Sequence, residues 1–264
     1  RDFMKKQGMD WPQLYDGKDH GRIYRIVPEG GLPLAAGLNL RDASDTELVG
    51  KLGDPNIWWR RTAQRLLVER RGGGSVALLR AAVEERSSAE VRLHALWALE
   101  GMGRLDADLI SLALGDDEAG VRENAILLAE SRLHDSPALV ARLLSLASDP
   151  DSRVRFQLLA TLGEIDSPEV RRIAEESFFA DIDDPWMRVA VLTHPSVRPA
   201  KFLRETLDRP ELTGQENDDR RDLFTQLASM VGAAGSESDV NKVIGQLARP
   251  GLGAAWWRAA ALDG

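Results

Sequence analysis

The sequence predicts an all-α fold, an α-solenoid of about seven helical hairpins behind a short irregular or β N-terminal segment. Arginines recur in similar contexts at Arg60, Arg92, Arg122, Arg155, Arg188, Arg221 and Arg258, spaced in the low thirties apart from one slightly longer step. A period of that length marks stacked supersecondary units. Apolar residues bracket most of these arginines at helical spacing, and a second helical pattern lies between consecutive anchors. One hairpin cannot bury both apolar faces, whereas stacked hairpins share a continuous core.

The first helix of each unit follows from the residues around its anchor. Before the arginine stand Trp59, Val91, Val121, Val154, Met187 and Trp257. Three positions after it come Ala63, Ala95, Ala125, Leu158, Val191, Phe224 and Ala261. These two sites are i and i+4, hence on one helix face. The arginine sits beside the stripe, its stem along the apolar surface and its head expected in water. "DPNIWWRRTAQRLL" (54–67) and "AAWWRAAAL" (254–262) are then the same position in the first and seventh units. Trp58, Trp59, Trp97, Trp186, Trp256 and Trp257 all fall in first helices. They are expected to pack in the seams between helices; the alternative is an exposed aromatic platform for a ligand.

The second helices are expected over 75–85, 107–115, 136–147, 167–179, 199–207 and 238–248. Ser136-Pro137 and Ser167-Pro168 start two of them. The serine hydroxyl caps free amides, and proline fits the first helical position. Asp54-Pro55, Asp117, Asp151 and Asp184-Pro185 mark first-helix starts, where a carboxylate both caps and complements the helix dipole. Two units depart from the pattern. Pro195 should end the fifth first helix early. The sixth unit carries Arg220 at a stripe position, behind the polar loop "TGQENDD" (213–219), so the stacking there is expected to be irregular or bent.

Residues 1–41 lack the period. "HGRIYRIVPEG" (20–30) alternates, and a β-strand is expected over residues 22–27. Its pairing partners are expected in sequence preceding Arg1, or in a short hairpin within residues 1–12. Arg1 in place of methionine, and a seventh first helix reaching Gly264 with no second helix behind it, point to a segment of a longer chain. The expected domains are 1–41 and 42–264.

Composition narrows the chemistry. The 264 residues are 43% hydrophobic and 29% charged, an ordinary balance for a globular chain. The net charge of −8 argues against nucleic acid as a partner. No apolar run reaches membrane-spanning length. Cysteine is absent, which excludes disulfides, thiolate metal sites and covalent haem attachment within these residues.

The Asp–x–x–x–Val–Arg–x–x–Ala core, seen in "DEAGVRENA" (117–125) and with Leu158 in "DSRVRFQLL" (151–159), resembles the HEAT-repeat family. That resemblance covers roughly residues 42–264. It implies Asp–Arg pairs between neighbouring units, with Asp117, Asp151 and Asp184 opposite Arg122, Arg155 and Arg188. Exposed pairs of this kind contribute only about 0–1 kcal/mol each. The junction of "DGKDHGRIYRIVPEG" with "LVGKLGDPNIWWRRTAQRLLVER" is similar to that in large secreted dehydrogenase-like proteins of planctomycetes and their relatives. In these a glucose/sorbosone-dehydrogenase-like β-propeller, a HEAT region and a c-type cytochrome domain are joined. The resemblance implies a periplasmic or secreted location, with the Gly-Arg-Ile-Tyr-Arg-Ile stretch as the last propeller strand. Sugar oxidation and haem would belong to the neighbouring domains, and no catalytic residue of that family maps onto this chain.

No catalytic, cofactor-binding or metal residue is assigned. His20, His94, His134 and His194 form no metal-ligand spacing with one another or with carboxylates. The acidic runs at 116–120, 149–152 and 181–184 lack the full calcium-loop pattern and coincide with unit boundaries, so capping explains them. "RRGGGS" (70–75) has neither a preceding strand nor a following Lys-Ser/Thr, and reads as an interhelical turn. The expected role is a non-catalytic scaffold. It would hold neighbouring propeller and cytochrome c domains, or bind another protein. The alternatives are a solenoid lining a sugar or alcohol dehydrogenase site, and a stand-alone partner-binding or lyase-type HEAT protein.

Overall fold

Helix boundaries in the computed structural model follow from capping chemistry. The structure describes residues 29, 39–163, 165, 167–194, 197–248 and 256–264. In chain order the helices are α1 (Asp45–Lys51), α2 (Ile57–Arg70), α3 (Gly73–Glu84), α4 (Ala89–Gly101), α5 (Ala107–Ala113), α6 (Ala119–Ala129), α7 (Pro137–Leu144), α8 (Ser152–Leu162), α9 (Pro168–Ala180), α10 (Pro185–Leu192), α11 (Pro199–Leu207), α12 (Pro210–Thr213), α13 (Asp218–Ala233), α14 (Glu237–Leu247) and α15 (Trp256–Asp263). Ser44 and Glu47 form a reciprocal capping box on α1. Ser136 and Ser167 cap α7 and α9 with proline following, and Asp151 and Asp184 cap α8 and α10, as their spacing predicts. Two first-helix starts differ from expectation. Asn56, two residues after Asp54, caps α2, and Glu118 rather than Asp117 holds the α6 cap position, without a side-chain bond.

The helices form two layers of stacked hairpins, an α-solenoid. First helices pack on first helices: α2 on α4, α4 on α6, α6 on α8, α8 on α10, and α13 on α15. In the other layer α1 meets α3, α3 meets α5, α5 meets α7, and α11 meets α14. Contacts of α3 with α4, α5 with α6, α9 with α10 and α11 with α13 join the layers. One continuous apolar core results, running from Leu48 of α1 to Ala261 of α15. The predicted stripe lies in it: Ala63, Ala95, Ala125, Val121, Val154, Leu158, Val191, Phe224 and Trp257 are buried, and Trp59 is half-buried against the core. Each fully buried aliphatic or aromatic side chain of this kind stabilises the fold by about 1.5–3 kcal/mol.

The two irregular units behave as their residues require. α10 stops at Leu192, three residues before Pro195, so it has 8 residues where α4 has 13. In the sixth unit Arg220 replaces the apolar knob. Its Nη1 donates to the Glu211 carbonyl at 2.7 Å, and its Nε lies 3.9 Å from an Asp183 carboxylate oxygen. The short α12, which the sequence pattern did not predict, supplies that carbonyl.

The chain divides into two compact units, residues 1–39 and 40–264. All the helices above lie in the second. The strand expected over 22–27 and His20 lie outside the described residues, among which no strand occurs.

Candidate interaction surface

The anchor arginines are consumed in holding the units together. The first five turn back on their own units: Nη1 donates to the carbonyl of Asp54 from Arg60, of Asp116 from Arg122, of Asp149 from Arg155 and of Ile182 from Arg188, all at 2.7 Å. Arg92 makes the same bond to Ser87. The other edge of the guanidinium crosses to the next unit. Arg92 reaches Asp116 with two bonds (2.6 and 2.7 Å), Arg122 reaches Asp149 (2.7 and 2.8 Å), and Arg155 reaches Asp181 (2.7 and 3.1 Å). Asp116 and Asp149 also accept the backbone N–H two residues on, so one carboxylate closes a turn and binds its neighbour's cation.

This ladder corrects the sequence expectation on two points. Its acids are Asp116, Asp149 and Asp181, not Asp117, Asp151 and Asp184. Asp117 pairs instead with Arg86, and Asp151 with Arg153, while Asp184 only caps α10. The pairs are also largely buried: the Arg122 and Asp149 side chains are 11% and 4% exposed. Burial converts a marginal surface pair into one whose rupture is costly.

Arg60 forms no such carboxylate pair, because Arg86 stands six residues before Arg92, where Asp116 and Asp149 stand before their own anchors. Its Nε donates to His94 Nε2 at 3.3 Å, and His94 Nδ1 lies 2.7 Å from Gln64 Oε1. An arginine Nε–H can only donate, so Nε2 is the acceptor and the neutral ring carries its proton on Nδ1. Burial, followed by the charges of Arg60 and Arg61, pushes the imidazole below its ordinary range. His94 is thus a link between units. His134 is exposed and His194 is buried. Among the described residues no cluster of His, Asp and Glu has the arrangement to hold a metal ion.

With the ladder spent internally, what the first-helix layer offers a partner is its outer stripe. Trp58 and Trp186, each two residues before its anchor, are 68% and 70% exposed. The expectation that every first-helix tryptophan packs into a seam fails for these two. Trp256 occupies the same repeat position yet is buried, because its Nε1 donates to the Thr213 carbonyl of α12 and its ring meets Phe224 edge-on at 5.5 Å.

Two open grooves lie along this layer. One, of about 370 Å³, is lined by Phe156, Trp186 and Met187 with Glu123, Ser152, Arg153 and Asp184. The other, of about 420 Å³, lies between α2 and α4. Trp97, Val68 and Gly101 form its apolar part, with Arg61, Gln64, Arg65 and Glu69 around them. The grooves are oppositely charged: two carboxylates against one arginine in the first, two arginines against one carboxylate in the second. The sequence pattern carries a signal for the first groove in Trp186, two residues before its anchor, but not for which of the −2 tryptophans stay exposed.

A family model described as HEAT repeats matches residues 107–193, which are α5 through α10. Among solved structures, the X-ray structure of YibA from Escherichia coli is similar at 16% identity, covering 83% of this chain and 91% of that one, with a TM-score of 0.48. No curated protein matches. No helix among the described residues is long and apolar enough to cross a membrane. Residues 107–193 thus match HEAT repeats, and they lie within a helical solenoid that extends from α1 to α15.

Proposed function

We propose that this solenoid is a non-catalytic scaffold whose first-helix layer binds protein. The observation that carries the reading is the exposure of Trp58 and Trp186 on a layer with two open grooves, one of them lined by Trp186, while the polar groups of the inter-unit ladder are engaged internally. Exposed aromatics set among charged residues are the composition of partner-binding surfaces.

The finer reading is that residues 42–264 form the HEAT region of a dehydrogenase-like haem protein, periplasmic or secreted. Residues 1–41 would be the end of its β-propeller, and the solenoid would hold that propeller against a c-type cytochrome domain. What supports it is the junction of "DGKDHGRIYRIVPEG" with the first HEAT-like unit. The coding sequence on either side tests it directly: propeller strands upstream and a Cys-x-x-Cys-His motif downstream are expected. In a dye-linked oxidation assay this chain by itself should show no turnover of sugars or alcohols, and activity above background contradicts the scaffold role. A photo-cross-linking amino acid in place of Trp58 should capture the neighbouring domain in the native host. The same group in place of Leu112, on α5 of the opposite layer, should not.

A further inference from the structure

We propose, resting on the reading of the first-helix layer as the binding face, that the groove at α8 and α10 receives one arginine or lysine side chain from an extended segment of a partner protein. Three features of the groove select that chemistry. Its floor is apolar, formed by Phe156 and the buried Met187, with the Trp186 indole standing 70% exposed beside them. Such a floor suits the methylene stem of a long cationic side chain, and an indole face attracts the cation.

The second feature is the carboxylates. Glu123 reaches the groove from α6 and Asp184 from the start of α10. Asp184 takes the N–H groups of Trp186 (2.8 Å) and Met187 (3.3 Å) both on Oδ1, which leaves Oδ2 as an acceptor for a ligand. A purely apolar occupant would strip water from these groups without replacing it, at a cost no aliphatic contact offsets. An anionic occupant would be repelled.

The third feature is the state of the groove's own cation. Arg153 donates to Asp151 from Nε (3.2 Å) and Nη2 (3.0 Å). That pair is locally neutral, so the two remaining carboxylates set the sign of the field. The α2/α4 groove, with Arg61 and Arg65 against Glu69, has the opposite preference and serves as an internal control on the same layer.

The test uses the full chain and a fluorescein-labelled peptide with leucine–arginine–leucine between glycine–serine flanks, followed by anisotropy. Trp186→Ala should weaken binding about tenfold, the loss expected of a cation–aromatic contact between its exposed and desolvated limits. Trp186→Phe should recover most of it. Glu123→Gln should weaken binding by about threefold, and Glu69→Gln, the same charge change at the other groove, should leave it unaltered. Trp186 is exposed, so its replacement leaves the fold intact, and unchanged circular dichroism checks this. Wild-type affinity in Trp186→Ala, or equal binding of the leucine–glutamate–leucine peptide, overturns the proposal. If the arginine peptide fails while the cross-linker at Trp58 still captures a neighbour, the groove assignment falls and the scaffold reading stands. Capture from Leu112 instead overturns the scaffold reading itself.

Discussion

Arg122 and Asp149 lie 27 residues apart and meet through two bonds of 2.7 and 2.8 Å, one guanidinium edge on one carboxylate across a unit boundary. Both side chains are nearly buried. Removing one partner leaves the other charge uncompensated, so Arg122→Ala should destabilise the solenoid by about 3–5 kcal/mol. Arg122→Met paired with Asp149→Leu should recover much of that loss. Urea denaturation of the single and double variants measures both. If Arg122→Ala shifts the midpoint no more than an exposed-pair variant such as Arg65→Ala, the ladder has no stabilising role.

The duplicated tryptophan motif makes a second contrast. Trp257 is buried against Phe224, whereas Trp58 lies largely in water. Trp257→Ala should cost about 3–5 kcal/mol. Trp58→Ala should stay within about 0.5 kcal/mol, as surface changes do. Thermal melts of the two variants side by side decide it.

His94 links stability to pH. Its folded-state pKa lies below the ordinary 6.5, so between the two values the unfolded chain binds the extra proton. The contribution is therefore fully present above about pH 6.5 and is lost as pH falls below it toward the lowered folded-state value. The urea midpoint of the wild type should drop between pH 7.5 and pH 5.5, and His94→Asn should flatten that slope. Asp106 and Asp151, held below the usual carboxylate range by backbone and arginine bonds, act only at more acid pH. An identical slope in the variant would remove His94 from this account.

Arg71 ends α2 in the left-handed region at φ 49°, where glycine is ordinarily found. Its N–H closes on the Leu67 carbonyl at 3.1 Å. Arg71→Gly relieves steric strain of about 1–2 kcal/mol and gives back part of it in unfolded-chain entropy. The net expectation is a gain of about 0.5–1 kcal/mol, read as a higher denaturation midpoint.

Local chemistry was legible in the sequence. The arginine period, the apolar pair at i and i+4, and Ser–Pro or Asp caps located the hairpins, and α11 spans the expected 199–207. Each of these signals acts within one or two turns of a single helix. Pro195 likewise announced the short α10. The acids of the ladder lie one to three residues before those the pattern predicts, because their partners sit in the preceding unit, and that offset is set by how two hairpins slide against each other.

The repeat alone therefore determined that this chain stacks helical hairpins around a shared apolar interior. Only the tertiary structure decided which acid meets which arginine and which tryptophan remains in water. Trp58, Trp186 and Trp256 hold one position in the repeat, yet α12 covers the last of them and not the others. Burial is a property of what packs above a residue, and in a solenoid that neighbour comes from another unit.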